Sequence, residues 1–169
     1  MNFLRQHWFD VGLLLAFGAC VFLLFTALSS VALLLWLSLI ALFLHQFEEY
    51  RYPGYFPGMV NYAMYRSTLP DRYPLNTQTS LIINTTGWFL YAIAIFVGQN
   101  AIWFCTAVIL ISVGNFIVHT FVFNIKGKTF YNPGMITSII FFLPLSVYYF
   151  YFIITKFNTS PTEIIAGIL

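Results

Sequence analysis

The sequence predicts an all-α integral membrane protein, a single bundle of five membrane-spanning helices with an interfacial loop and short helix between the second and third. Hydrophobic residues make up 60% of the 169-residue chain and charged residues only 7%, where a soluble domain carries about a quarter. Apolar stretches of roughly 20 residues, each long enough to cross a bilayer, recur along the whole length. Backbone polar groups in hydrocarbon must be satisfied within the segment, so such stretches are helices. Mean hydropathy is +0.85, which excludes a separate soluble domain, and a net charge of +2 gives no reason to expect a nucleic-acid partner.

The expected spans are residues 9–27, 30–50, 81–98, 101–123 and 134–155. The first is too long for the apolar core of a signal peptide and is read as a retained helix. A Leu28-Ser29 turn too short to leave the membrane surface joins it to the second as a hairpin. From Arg51 to Ser80 the character changes, with four of the seven prolines (Pro53, Pro57, Pro70 and Pro74), Gly54, Gly58 and three arginines. Tyrosines are frequent here and suit the headgroup region, with a short surface helix expected over 59–67. This stretch is a candidate lid. The Gly98-Gln99-Asn100 turn separates the third and fourth spans. Cys20 and Cys105 lie inside apolar segments without CxxC spacing and are read as buried structural thiols. Gly12, Ala16 and Ala19 form a row of small residues that could pack against a partner helix, the one hint of a homo-oligomer or larger complex.

Five alternating spans put Arg5, Arg51, Arg66, Arg72, Lys126 and Lys128 on one side and Lys156 alone on the other. By the positive-inside rule the N-terminus is cytosolic and the C-terminus outside, in a bacterial cytoplasmic membrane.

Against this apolar background one stretch stands out. His45-Gln46-Phe47-Glu48-Glu49 closes the second span and holds two of the chain's five carboxylates. On a helix, positions i, i+3 and i+4 share a face, so the ring and both carboxylates can address one place. At about 1.5 Å per residue, His45 lies roughly 23 Å down its span, and Asn115 and His119 roughly 21 and 27 Å down theirs, so the two histidines share a level. Asn84 on the third span and Tyr131-Asn132-Pro133-Gly134 before the fifth belong to the same half of the bundle, where the polar residues are expected to stop. Asn132 reads as an N-cap followed by Pro at the first helical position, leaving free N–H groups near Lys126 and Lys128 as an anion subsite.

The pentapeptide at a span end, followed by Pro53 and Phe56, with the later Asn115/His119 pair and the Tyr131–Gly134 turn, resembles the HXXEE-motif family of small membrane proteins. That resemblance covers most of the chain and implies importance for these residues, with no settled activity attached. The adjacent glutamates also resemble the CAAX-processing type of intramembrane protease, but Arg51 follows Glu49 by two residues where that motif has four.

Two classes of function are open at this point. The first is an enzyme, either metal-free with one of the paired glutamates as base, or with His45, Glu48, Glu49 and His119 holding a divalent metal (zinc, iron or manganese), as His/Glu pairs do in helical bundles. Glu48, Glu49, Asn115 and Tyr131 are then the catalytic candidates, and Arg51, Asn84, Lys126 and Asn132 the substrate-binding ones. The reaction is hydrolysis or transfer on a lipid-like substrate drawn from the cytosolic leaflet. In the second, the same buried groups carry protons or cations, as in a small transporter. An interfacial pairing of Glu48 with Arg51 is the bland alternative to both.

Overall fold

In the computed structural model, which describes residues 2–157 and 159–169, all regular structure among the described residues is helical. Four helices are long and apolar enough to cross a membrane: Phe3–Phe25, Ser30–Tyr50, Thr77–Gly127 and Met135–Thr155. The third runs for 51 residues. At about 1.5 Å per residue such a run far exceeds the roughly 30 Å of hydrocarbon in a bilayer. It folds back at Gly98–Ala101, where Gly98 takes φ +51° and a tight 3₁₀ turn follows. Tyr91 and Ser112, one on each limb, share a hydrogen bond of 2.6 Å, and the Cys105 thiol donates to the Ala94 and Gly98 carbonyls. The run is therefore two antiparallel limbs, α4 (Thr77–Val97) and α5 (Ile102–Ile117).

The other elements are α1 (Asn2–Phe25), α2 (Ser30–Tyr50), α3 (Phe56–Tyr65), a short α6 (Phe123–Gly127), one turn of α7 (Met135–Thr137), α8 (Leu143–Thr155) and α9 (Pro161–Ile168). Two π-helical turns join them: Val118–Val122 links α5 to α6, and Ser138–Phe142 links α7 to α8.

The bundle is built around α2. Its apolar window is 61% buried, against 22–33% in the other three spanning runs, because α1, α4, α5 and α8 all pack on it. Ser29 caps its start, accepting from the Ala32 amide. At its far end Arg51 pairs with Asp10 of α1 at 3.2 Å, rather than with Glu48.

The small-residue row on α1 packs within the chain. Ala16 and Ala19 are buried, and a Cβ on Gly12 would lie 3.3 Å from both Phe43 and Trp88. It therefore lends no support to a partner helix. Cys20 faces outward and only Cys105 is buried, so the expectation of two buried thiols holds for one. Polar groups also continue past the expected half of the bundle. Beyond the Tyr91–Ser112 pair, Thr106 and Tyr149 meet at 3.2 Å, each buried.

The 51–80 stretch is more tied down than a surface loop. Helix α3 begins at Phe56, earlier than expected, and buries Val60, Asn61 and Ala63. The Asn61 amide donates to the Pro70 and Leu75 carbonyls and accepts from the Leu75 amide, pinning residues 66–75 against α3. Asn76 then opens α4 with a reciprocal capping box to Thr79. Helix α9 has no counterpart in the expected spans. Ser160 and Glu163 form its capping box, Pro161 fills the first turn, and Gly167 seats it so closely on α5 that a Cβ would meet the Trp103 carbonyl at 2.5 Å.

Enlarging Gly12 should overpack the α1–α2–α4 contact, whereas Gly18, with nothing within 4 Å, faces open space. Gly12→Leu is expected to destabilise the fold by about 1–3 kcal/mol and Gly18→Leu to leave it nearly unchanged, as read by thermal unfolding in nanodiscs. Equal loss in both variants would contradict the packing described.

Candidate metal centre

His45 and Glu49 are one helical turn apart on α2, and both side chains point inward. His119 comes from the π-helical turn after α5, where the widened turn shifts the register and carries the ring into the bundle. The rings lie 4.8 Å apart at 85°, so counting depth along the two spans put them correctly at one level. Glu49 Oε1 is 3.2 Å from His119 Nε2 and 3.6 Å from His45 Nε2. One ligand atom from each of the three residues lies within 4.8 Å of the others, and all three side chains are buried. This group could hold a metal ion.

The hydrogen bonds behind the rings decide what the facing nitrogens can do. Thr137 gives its hydroxyl proton to Glu48 Oε2 at 2.6 Å, so toward His45 Nδ1, 3.0 Å away, it accepts. Asn132 donates its amide to the His119 carbonyl and to Asn124 Oδ1, which turns its oxygen to His119 Nδ1 at 2.6 Å. Each ring therefore carries its proton on Nδ1 and turns the Nε2 lone pair inward, an assignment drawn from the network. Both Nε2 atoms are buried and have no hydrogen-bond partner.

Two imidazole lone pairs and a carboxylate oxygen thus converge with no hydrogen among them. Such a set is stable only around a positive charge, either an added proton or a cation. For bonds of about 2.0–2.2 Å, tetrahedral geometry separates ligand atoms by roughly 3.3–3.6 Å, close to the spacings about Glu49. Phe56 stacks on His119, and Phe142 lies against His45. Gly134 approaches the rings with φ +97°, and a Cβ there would sit 2.5 Å from His119 Cε1 and 2.7 Å from His45 Cε1. Only glycine suits both the conformation and the space.

Glu48 is not part of this group. Tyr131 and the Ile136 amide donate to its Oε1, and the Thr137 amide and hydroxyl to its Oε2. Its partners lie in the 131–137 segment, so the helix N-terminus expected to offer an anion subsite already holds an anion from within the protein. Nor does Asn132 cap that helix. Gly134 occupies the cap position and the Asn132 side chain serves His119. Burial and the Glu48 carboxylate push the Tyr131 phenol well above its usual range, so it remains a donor.

The remaining site candidates divide by location. Asn84 and Asn115 line a cavity of ≈ 280 Å³ that also touches His45, Gln46, Glu49 and Tyr50. Gln46 is held by Asn84 at 3.1 Å and by the Trp88 indole at 2.5 Å, and Asn84 donates to Tyr50 at 2.9 Å. Arg51 and Lys126 are exposed, and neither lines the cavity. Thr137 and Asn124 had no assigned part in the sequence, and Gly134 stood there only as the end of the Tyr131–Gly134 turn. Thr137 is an ordinary hydroxyl at a helix start, and only the tertiary pairing with Glu48 reveals its use.

Residues 36–149 match the family model described as "Protein of unknown function with HXXEE motif", and the matched region contains the whole of this centre. No curated protein and no solved structure matches the chain. With more than half of its length matched, the chain belongs to the HXXEE-motif family.

Proposed function

We propose that this protein is an intramembrane hydrolase or transferase that binds a divalent metal through His45, Glu49 and His119 and acts on a lipid-like substrate in the adjoining cavity. The observation that carries the reading is the pair of buried, partnerless Nε2 atoms facing one carboxylate. Two histidines and one glutamate suit zinc, iron or manganese and leave a position open. When bound, the ion would supply Lewis acidity to a substrate carbonyl or to water. The chain's own groups do the rest. Glu48 holds Thr137, Thr137 orients His45, and Asn132 orients His119. Glu49 reaches the cavity and can take a proton there, while Asn115, also on its wall, can hold a substrate carbonyl or hydroxyl.

In this reading the bundle crosses the membrane five times, α4 and α5 each being one crossing. The centre faces the cytosolic side, the N-terminus is cytosolic and the C-terminus outside.

One observation favours a second reading, cation or proton carriage. The Tyr91–Ser112 and Thr106–Tyr149 pairs extend polar groups from Asn115 along α5 toward the opposite end. Proteoliposomes loaded with a pH-sensitive dye, or with a cation-sensitive dye for the cation form, discriminate the two, because carriage requires an influx down an imposed gradient that Ser112→Ala abolishes and the enzymatic reading requires none.

Purified protein in nanodiscs is expected to contain one divalent ion per chain by elemental analysis. His45→Ala, His119→Ala and Glu49→Gln should each lose it. Glu48→Gln acts one shell out and should weaken affinity by about 10–100-fold without abolishing it. Well-folded protein without metal in any preparation would overturn the metal reading and leave the positive charge to a proton.

Topology is checked separately in a Cys20→Ser background. Cysteines at Arg66 and Lys126 should react with an impermeant maleimide from one side of oriented vesicles, and one at Lys156 from the other. Labelling of the 66 and 126 positions from opposite sides would contradict five crossings.

A further inference from the structure

The cavity beside the centre has a charge pattern that restricts what can enter it. Among the described residues, Glu49 is its only acidic side chain and no lysine or arginine lines it. The anion-binding devices legible in the sequence are all committed elsewhere. Arg51 is paired with Asp10, Lys126 and Lys128 point outward, and the amides of residues 136 and 137 are taken by Glu48. A phosphate headgroup entering here would lose its hydration, at a cost of several kcal/mol, and meet no basic side chain, leaving an ion at the centre, its charge already partly offset by Glu49, as its one counter-charge. An uncharged ester, amide or hydroxyl group meets no such penalty.

The shape of the cavity adds a second restriction. At ≈ 280 Å³ it falls just under the usual range of about 300–1,000 Å³ for small-molecule sites. It accommodates a headgroup and the first few carbons, so a longer chain must leave through an opening. Toward the cytosolic end it is walled by Phe56 and Leu75, the latter pinned by Asn61. On the side between α4 and α5 its boundary is Ile83, Gly87, Ile111 and Asn115; Ile83 is 61% exposed, and the other three are partly so. Gly87 contributes no side chain at this edge. Amides from two helices, Asn84 and Asn115, therefore stand partly exposed within spanning segments, where polar groups are expensive and mark functional paths.

We propose that the cavity receives an uncharged single-chain amphiphile, with an ester, amide or alcohol headgroup, which enters sideways from the bilayer between α4 and α5. The proposal names the substrate class for the enzymatic reading above and rests on it, but its test needs neither metal nor turnover.

The probes are a monoacylglycerol carrying a diazirine near its headgroup and a lysophosphatidic acid carrying the same diazirine, each photolysed in nanodiscs holding the wild-type protein. Crosslinked residues are mapped by mass spectrometry. The monoacylglycerol should label Ile83 and Ile111 at least fivefold more strongly than the lysophosphatidic acid does, with both probes labelling lipid-facing Phe96 equally. Ile83→Trp at the mouth and Gly87→Leu at the edge should each cut cavity labelling severalfold and leave Phe96 labelling unchanged. The Phe96 signal, together with thermal unfolding, keeps a misfolded variant from passing as a blocked one. Equal or stronger cavity labelling by the phosphate probe would overturn the uncharged class. Cavity labelling no higher than at Phe96, or insensitive to both substitutions, would overturn the sideways route. Either result leaves the metal measurement standing on its own, and absence of metal with intact cavity labelling would refute the enzyme reading while keeping the amphiphile site.

Discussion

Three electron-pair donors without a hydrogen among them form the constraint around which this bundle is arranged. Single oxygens of Gln78, Ser80, Thr120, Ser146 and Thr159 are also buried without a partner, but only here do two such atoms face one carboxylate among the described residues, and the groups around them are densely bonded. Glu48 accepts from four donors, Gln46 is held by both Asn84 and Trp88, and Asn132 uses both ends of its amide. A buried polar group left without a partner costs about 1–3 kcal/mol. Two such atoms within a few ångströms of each other, beside residues so fully paired, are not a packing accident. They mark an unmet demand for positive charge, and the surrounding aromatic rings and Gly134 keep the pocket too close-fitting for a loose answer to it.

The adjacent glutamates have different work because consecutive helix positions diverge by about 100°. Glu49, four residues from His45, faces the same ring's Nε2 directly. Glu48, three residues away, reaches the 131–137 segment and acts on His45 Nδ1 through the Thr137 hydroxyl. The two carboxylates therefore address opposite nitrogens of one imidazole, Glu49 facing Nε2 at 3.6 Å with no hydrogen bond between them and Glu48 reaching Nδ1 through the Thr137 hydroxyl. This gives the H-x-x-E-E spacing a physical meaning. Losing the first glutamate would free the ring's tautomer and tilt, whereas losing the second would remove one of the three candidate ligands.

Much of this was legible in the sequence, and the misses have identifiable causes. Hydropathy located the spanning helices, and rise per residue set His45 level with His119, because both signals are local and additive along a helix. The division of labour between Glu48 and Glu49 was not legible, since spacing places both near one face and only the neighbouring segment decides. Asn132 before Pro133 carries a sound N-cap signature, but the His119 ring offered its side chain a better partner, and Gly134 took the cap. The small row on α1 likewise has the composition of an interface between chains and serves one within it. Helix α9 did carry a readable signal, the Ser160–Glu163 capping box, but eight residues are too few to register as a span.

The aromatic, proline-rich 51–80 stretch looked like a candidate lid, and its bonding argues for a fixed roof. Asn61 is fully buried and makes three hydrogen bonds to residues 70 and 75, so opening this roof would expose an amide and three backbone groups together. Phe56 adds its stack on His119 to the same closure. The α4–α5 edge has no comparable bonding among the described residues that face the cavity. There the boundary is apolar contact, a glycine without a side chain, and two amides anchored to their own or adjacent helices. Contacts of that kind re-form freely against an acyl chain, whereas the roof's hydrogen bonds do not. The asymmetry between a bonded roof and an unbonded α4–α5 edge is the observation on which the proposed sideways entry rests.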